Sequence, residues 1–267
     1  MRKVNYKFKK TNICIYVSSR LSKNPKVFLH GFTGSYKSWY DITKKIKDYI
    51  LIDIPGHGNS YFVDSASEYN FSDWANDFSY IIKDLNINGM NLIGYSLGAR
   101  LSIVFASTNP RLISSLILES SAYGLDNKKE LDDRYQKDIE LASLIEKDFD
   151  KFLFEWEENS LFKNQKDRNP IGYQKQKAIR MKQNPNQLSR ALKSFSQGKM
   201  KSYLRNFKKF DFPIVLINGV EDKKYITLSE VMFDECKNTN HYIISKSGHN
   251  VHLENPENFL KVLIRHD

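Results

Sequence analysis

A serine between two glycines is the residue of this sequence best placed for nucleophilic or general-base chemistry. Residues 94–98 read GYSLG, which is the G-x-S-x-G pattern of a nucleophile elbow with Ser96 at its centre. The short apolar run at residues 90–93 predicts a buried strand before the serine. Apolar residues at helical spacing predict a helix after it: Leu97, Leu101, Val104 and Phe105. Such a turn exposes the serine hydroxyl at the carboxyl edge of a sheet. A plain strand–helix turn is the structural alternative.

A catalytic serine needs a base, and the base needs an acid that orients it. Asp222 lies in VEDKKY, directly after the strand-like segment FPIVLING, and His249 lies in GHNVHLENP, directly after HYIISKS. The chain order is therefore serine, acid, histidine, which is the order of α/β-hydrolases. Two alternatives stay open for the acid: Asp222 merely caps a turn, or its neighbour Glu221 takes the role.

The other five histidines are less well placed for the role of the base. His30 in LHGF and His57 in DIPGHGNS also follow strands, but we expect them to bond to the backbone and to brace loops beside the site. The remaining three lie at the start of a strand, in or at the start of the last helix, and in the tail: His241, His252 and His266.

The segment FLHGFTGS supplies a candidate for the second half of an oxyanion hole. A glycine after a strand lets the next backbone N–H turn inward. We therefore expect the amides of Phe32 and Leu97 to point together at one oxygen atom.

Strand-like and helical segments alternate along most of the chain. The strand-like segments are NYKFKK, ICIYVSS, KVFLHGF, YILIDIPG, MNLIGYS, SLILESS, FPIVLING and HYIISKSGH. The first two read as an antiparallel hairpin, and the alternation of the rest with helices is typical of a parallel sheet. The predicted fold is the α/β-hydrolase fold, with a mostly parallel eight-stranded sheet and helices on both faces.

One long segment breaks this alternation. Residues 125–203 are charged and aromatic, have no β-branched strand runs and read as several short helices. We expect this segment to be an inserted helical cap over the carboxyl edge of the sheet. Residues 1–124 and 204–267 then form the core.

Composition limits the classes of function. The 267 residues carry a formal net charge of +10, from 41 Lys and Arg against 31 Asp and Glu, but the lysines are scattered and no nucleic-acid module is present. We therefore expect no nucleic-acid partner. No apolar run approaches the ~20 residues of a membrane span, and the start lacks a signal-peptide core, so a cytoplasmic location is expected. Cys14 and Cys236 are far apart and outside any metal-ligand spacing, so neither a disulfide, a metal nor a cofactor is expected.

Together these motifs resemble one family, the 2-succinyl-6-hydroxy-2,4-cyclohexadiene-1-carboxylate synthases, which are lyases of menaquinone biosynthesis with the α/β-hydrolase fold. The resemblance covers nearly the whole chain, in FLHGFTGS, IDIPGHGNS, GYSLGAR, LILESSAYGL, RYQKD, WEENSLF, KAIRMKQNPNQLSRAL, GVEDKKY and GHNVHLENPE. Several of these segments are common to α/β-hydrolases in general. The discriminating features are the arginine after the elbow and the segments of the cap.

The resemblance implies that three arginines bind the carboxylates of the substrate. They match Arg100 in GYSLGAR, Arg134 in RYQKD and Arg180 in AIRMKQ. Arg100 also stands out without the resemblance, because a helical residue four positions after Ser96 lies near the same face as the serine, where an arginine suits an anion. A surface role is the alternative for Arg134 and Arg180.

The resemblance also assigns residues to the pocket wall. Trp156 and Phe162 in WEENSLF match residues of the cap that wall the pocket, and Tyr95 matches the aromatic neighbour of the serine. One departure is Ala99, where the family often has a second glycine after the elbow. We expect the helix to tolerate this methyl group.

The implied reaction is the elimination of pyruvate from 2-succinyl-5-enolpyruvyl-6-hydroxy-3-cyclohexene-1-carboxylate, an anionic tricarboxylate. Ser96, activated by His249 and oriented by Asp222, acts as the base, and no cofactor takes part. The alternatives are a hydrolase of esters or carbon–carbon bonds, which shares the triad but needs no converging arginines, and a non-catalytic protein that binds anionic polymers. A monomer or a small homo-oligomer is expected.

Overall fold

The computed structural model describes residues 1–63 and 68–266, and this part of the chain holds nine strands. The strands are β1 (Arg2–Lys7), β2 (Thr11–Val17), β3 (Lys26–Leu29), β4 (Tyr49–Ile52), β5 (Tyr61–Phe62), β6 (Met90–Tyr95), β7 (Ile113–Glu119), β8 (Ile214–Gly219) and β9 (Thr239–Ile244).

These strands join one sheet in the order β1-β2-β4-β3-β6-β7-β8-β9, with β5 paired to β2. β1 and β2 form an antiparallel hairpin, and every neighbouring pair from β4 to β9 is parallel. The predicted mostly parallel sheet with its opening hairpin is therefore confirmed. The structure adds β5, which at two residues is too short for a sequence pattern to indicate. It also begins β1 three residues before NYKFKK, because Arg2 pairs with Val17 and Lys7 with Asn12, which leaves residues 8–10 for the turn.

Twelve α-helices lie in the described residues. They are α1 (Tyr40–Thr43), α2 (Phe71–Asp84), α3 (Leu97–Thr108), α4 (Lys128–Lys147), α5 (Phe149–Glu157), α6 (Gln165–Arg168), α7 (Pro170–Arg180), α8 (Pro185–Ser194), α9 (Leu204–Phe207), α10 (Lys223–Glu235), α11 (Val251–Glu254) and α12 (Pro256–Arg265). Short 3₁₀ helices cover Tyr36–Trp39, Pro110–Leu112 and Gln197–Lys199.

The sheet separates two apolar layers. Successive strand side chains point to opposite faces, so that Leu92 belongs to one layer and its neighbour Ile93 to the other. α2 and α3 pack on the first face through fully buried rings: Trp74, Phe78 and Phe105. α12 packs on the second face, where Phe259 lies 5.9 Å from the ring of Trp39. This packing on both faces fixes the sheet as a rigid platform whose carboxyl edge carries loops.

Helices α4 to α8 are inserted between β7 and β8 and have an apolar cluster of their own. Its members are Ala142, Ile145, Phe152, Leu153, Leu188 and Leu192. The chain leaves the core and returns to it at one place, because Leu125 and Lys201 form an isolated parallel bridge. We therefore propose that residues 125–203 form a cap and that residues 1–124 and 204–267 form the core. Residues 64–67 and 267 of this core lie outside the described part of the chain.

Four of the five cap helices, α4, α5, α7 and α8, coincide with segments that the sequence predicts as helical: KKELDDRYQKDIELASLIEK, FDKFLFEWEE, IGYQKQKAIRMKQ and PNQLSRALKSF. The fifth, α6, is one turn long and polar throughout, so that no apolar period predicts it. Along residues 1–63 and 68–266, none of the helices combines the length and the apolar character needed to cross a membrane.

We expect Gly98→Ala to lower the free energy of unfolding by about 3 kcal/mol, because a Cβ at residue 98 would overlap the carbonyl of Leu29 in the neighbouring strand. Urea denaturation followed by circular dichroism measures this. Gly248→Ala is the matched control, since its Cβ would have no neighbour nearer than 3.4 Å, and we expect it to cost less than about 1 kcal/mol. Equal stability of the two variants would show that the close approach of β3 and α3 is not a constraint.

Candidate active site

Ser96 occupies the tight turn between β6 and α3. Its backbone has φ of +51° and ψ of −105°, a conformation that side chains rarely adopt and that clusters at functional sites. The N–H of Ser96 donates to the carbonyl oxygen of Glu119 at 2.9 Å, which ties the turn to the end of β7. A Cβ at Gly94 would lie 2.6 Å from the Cα of Ala99, so the strand and the helix approach as closely as the pattern predicts. The turn therefore presents the serine hydroxyl at the carboxyl edge.

The three residues predicted for the triad lie together at this edge. The hydroxyl of Ser96 is 3.1 Å from Nε2 of His249, and Nδ1 of His249 is 2.9 Å from Oδ2 of Asp222. His249 and Asp222 are 2% and 4% exposed, so that this chain of hydrogen bonds is shielded from water. The geometry allows His249 to take the serine proton while Asp222 holds the ring in the tautomer that accepts it.

Glu221, the alternative acid, does not face His249. It is exposed, and its carboxylate binds Arg168 and the side-chain amide of Asn164. Asp222 is therefore the carboxylate positioned to orient the base.

His30 and His57 bond to backbone atoms beside the site. Nδ1 of His30 contacts the carbonyl oxygen of Gly31 at 2.8 Å, and its Nε2 accepts the N–H of Ile54 at 3.0 Å. Nδ1 of His57 lies 3.4 Å from the carbonyl oxygen of Pro55. Burial lowers the pKa of His57 to about 4, so its ring is neutral at neutral pH. These contacts fit a role in bracing the two loops.

Phe32 and Leu97 line the same cavity as Ser96. Leu97 is the first residue of α3, and an amide in that position has no acceptor within its own helix. Phe32 follows Gly31, where a Cβ would lie 2.6 Å from the ring of Tyr95, so only glycine fits before this amide. An oxyanion hole formed by these two amides remains a prediction.

The cavity above Ser96 has a volume of about 570 Å³ and lies between the core and the cap. Predicted wall residues that line it are Tyr95, Trp156 and Phe162. The rings of Trp156 and Phe162 lie 5.4 Å apart, and Phe162 lies 6.0 Å from His249. Such a volume suits a small organic molecule held against the triad.

Arg100 and Arg134 both line this cavity. Nη1 of Arg100 donates to the carbonyl oxygen of Phe195 at 2.8 Å, and burial lowers the pKa of Arg100 to about 10, which leaves it charged at neutral pH. Arg134 pairs with Asp138 at 3.0 Å and donates to the side chain of Gln197 at 2.8 Å. Neither arginine is a free surface residue.

Arg180 lies behind the cavity wall instead of on it. Its guanidinium sits 5.3 Å from the centre of the Phe162 ring, which lines the cavity, and its Nη1 is 3.6 Å from Glu157. Arg180 is 2% exposed, and within the described residues neither its Nε nor its Nη1 has a hydrogen-bond partner. The sequence places Arg180 on the correct helix, but it does not indicate that an aromatic ring intervenes.

Several residues that line the cavity are absent from the predicted set, and three of them bring an ammonium or a phenol group: Lys137, Lys224 and Tyr225. The ring of Tyr225 lies 4.5 Å from that of His249, and burial raises the pKa of the Tyr225 hydroxyl. The sequence could have indicated two of these residues. Lys137 follows Arg134 and Tyr225 follows Asp222 by three residues, about one helical turn, so each pair lies on one side of its helix.

A buried pair below the elbow is also absent from the predicted set. Oε2 of Glu119 is 2.6 Å from Nδ1 of His252, and Oε1 accepts the backbone N–H of His252 at 2.9 Å. The ring of His252 stacks on Trp39 at 4.1 Å. Because the carbonyl of Glu119 also accepts the N–H of Ser96, this residue links Ser96 to α11, the helix that follows His249.

Comparison with known proteins agrees with this architecture. The family model for the α/β hydrolase fold matches residues 25–256. The structure superposes on MenH from S. aureus with a TM-score of 0.88, at 24% identity over 97% of both chains. It superposes on a malate-bound thermophilic esterase from Thermogutta terrifontis with a TM-score of 0.82, at 17% identity over 100% of this chain and 98% of the other. The protein is therefore a member of the α/β-hydrolase fold family.

Sequence relatives narrow this class. A protein of Bacillus subtilis (strain 168), provisionally named 2-succinyl-6-hydroxy-2,4-cyclohexadiene-1-carboxylate synthase, is 32% identical over 240 residues, which cover 89% of this chain and 88% of the relative. The synthase of that name from Escherichia coli O1:K1 / APEC is 26% identical over 235 residues, or 86% and 88% of the two chains. The chain belongs to the 2-succinyl-6-hydroxy-2,4-cyclohexadiene-1-carboxylate synthase family of enzymes, as its motifs indicate.

We expect Ser96→Ala to abolish covalent labelling by a fluorophosphonate, an electrophile that attaches to activated serines, and Asp222→Asn to slow labelling on the order of 10³-fold. The physical reason is that the serine loses its proton acceptor when His249 is held in the wrong tautomer. Mass spectrometry of the labelled peptide measures both. Ser107→Ala is the control, since that hydroxyl bonds to the carbonyl of Ile103 within α3. Unchanged labelling of the Asp222 variant would remove the carboxylate from the triad.

Proposed function

We propose that this protein eliminates pyruvate from 2-succinyl-5-enolpyruvyl-6-hydroxy-3-cyclohexene-1-carboxylate to give 2-succinyl-6-hydroxy-2,4-cyclohexadiene-1-carboxylate, with Ser96, His249 and Asp222 as the proton-transfer residues. The observation that carries the proposal is that the aligned triad opens into the cavity lined by Arg100 and Arg134. Family membership supplies the identity of the substrate. A cytoplasmic location belongs to the same proposal.

The charge of the cavity wall supports an anionic substrate. The charged side chains in its described lining are four cations and one carboxylate: Arg100, Arg134, Lys137 and Lys224, and Asp138. The carboxylate is already paired with Arg134. Cations held in a partly desolvated cavity gain most from an anion that enters it, because the low local dielectric strengthens the attraction. A tricarboxylate fits this excess of positive charge.

We include Arg180 in this proposal because, within the described residues, its buried Nε and Nη1 have no hydrogen-bond partner. Leaving guanidinium N–H groups without partners is costly in a protein interior. We infer that Arg180 meets a carboxylate of the substrate once the ring of Phe162 turns aside, since that ring lies between the guanidinium and the cavity.

The proposed reaction begins with removal of the proton on ring carbon C2, which bears the succinyl ketone. Ser96 Oγ takes this proton as its own proton passes to Nε2 of His249, and Asp222 stabilises the resulting imidazolium. The ketone oxygen becomes an enolate, for which the amides of Phe32 and Leu97 are the candidate donors. The electron pair returns to form the C2=C3 double bond, the existing C3=C4 double bond moves to C4=C5, and the C5–O bond to the enolpyruvyl group breaks. The enol that leaves takes the proton from His249 and rearranges to pyruvate, so that the enzyme ends in its starting state.

We expect the purified protein to release pyruvate from the enolpyruvyl substrate without added metal or cofactor, in a continuous assay coupled to lactate dehydrogenase. EDTA in the assay should leave the rate unchanged. Small neutral esters should be poor substrates, because the arginines would stay unpaired in the cavity. Fast ester hydrolysis with no pyruvate above the spontaneous rate would favour the alternative, a hydrolase on the same scaffold.

We expect Arg100→Ala and Arg134→Ala each to lower kcat/KM by a factor that corresponds to about 2–4 kcal/mol of lost transition-state stabilisation. The reason is that each variant removes a charged partner of a carboxylate. Lysine at the same positions should restore only part of the loss, because the two-armed contact is missing. Arg111→Ala is the control, as Arg111 is exposed at the amino end of β7. Normal kinetics in both alanine variants would refute the anion-binding cavity.

A further inference from the structure

Arg168 in α6 of the cap contacts two carboxylates of the core. Its Nη2 binds Oε1 of Glu221, and its Nη1 binds Oε2 of Glu254. Arg168 is mostly buried, and the side chain of Glu254 is only 1% exposed. A second cap residue supports the same junction, because Nδ2 of Asn164 donates to Oε2 of Glu221 at 2.8 Å.

Both carboxylates lie beside the loops that carry Asp222 and His249. Glu221 directly precedes Asp222 in the chain. Glu254 accepts the backbone N–H groups on either side of His249, from Gly248 at 2.8 Å and from Asn250 at 3.4 Å. The carboxylate of Glu254 therefore holds the loop of the base from both ends.

This arrangement depends on the charge of Arg168. A carboxylate as buried as that of Glu254 is costly unless a cation and hydrogen-bond donors compensate it. Arg168 supplies the cation, and it also lowers the pKa of Glu221 by hydrogen bonding to its carboxylate. Arg168 therefore compensates the charge of both carboxylates from its position in α6.

We propose that Arg168 is a positioning residue. By binding Glu221 and Glu254 from the cap, it holds the loops of Asp222 and His249 where the triad is aligned. The inference rests on the proposed proton-transfer role of the triad. Arg168 is not among the residues that line the cavity of Ser96.

A second ion pair between the cap and the core provides a matched control. Nζ of Lys175 in α7 lies 2.7 Å from Oδ2 of Asp41, which follows the first residue of α1. This pair also ties the cap to the core, but Asp41 lies far along the chain from the loops of the acid and the base. Removal of Lys175 therefore reports the effect of losing an ion pair between cap and core that is remote from both loops.

The test compares Arg168→Met with Lys175→Met by two independent readouts, pyruvate release and the rate of fluorophosphonate labelling of Ser96. We expect Arg168→Met to lower kcat and the labelling rate roughly 10- to 100-fold with KM within about threefold, because a misplaced base lowers reactivity more than binding. We expect Lys175→Met to change both by less than about threefold, as an exposed ion pair contributes little. Equal losses in the two variants, or a wild-type labelling rate in Arg168→Met, would overturn the proposal.

Two further variants keep the test decisive. Arg168→Lys retains the charge but cannot bind both carboxylates at once, so we expect a labelling rate between those of the wild type and Arg168→Met. The pair Arg168→Met and Glu254→Gln should lose no more together than the worse of the two alone, because both act through one loop. Additive losses would contradict this path. If the wild type releases no pyruvate, the proposed substrate is wrong, and the labelling rates still decide whether Arg168 aligns the triad.

Discussion

The close approach of α3 to β6 and β3 at the elbow is the constraint on which the site depends. The turn fits only because Gly94 and Gly98 have no side chains, and it holds Ser96 in a backbone conformation that a relaxed chain avoids. The parallel sheet then determines where the partners lie, because the carboxyl ends of neighbouring strands share one edge. Asp222 follows β8 and His249 follows β9, so three residues distant in sequence meet within hydrogen-bond distance.

In the proposed function, the cap makes the site selective for an anionic substrate. It closes the carboxyl edge into a cavity and brings Arg134 and Lys137 from α4 opposite Arg100 of the core. The fold and the triad alone do not specify a lyase, since an esterase of 17% identity shares the architecture. The distinction comes from the positive charge that faces the serine, and from relatives that share the sequence over most of its length.

Much of this could be predicted from the sequence, for identifiable reasons. Ser96 is indicated by fixed glycine spacing, and Asp222 and His249 by their positions directly after strands, because local patterns determine where a strand ends. The position of Arg180 could not be predicted, since the intervening ring of Phe162 comes from a separate turn of the cap. The same holds for Glu254, whose role depends on Arg168 more than eighty residues away.

The central claim is that Ser96 removes a proton and does not form an acyl-enzyme. The most direct measurement is single-turnover pyruvate release from substrate that carries deuterium on ring carbon C2, which bears the succinyl group, compared with the unlabelled substrate. The account predicts slower release from the deuterated substrate, with the mass of the Ser96 peptide unchanged throughout the turnover. Equal rates together with a covalent adduct on Ser96 would contradict it and assign the serine the role of a nucleophile.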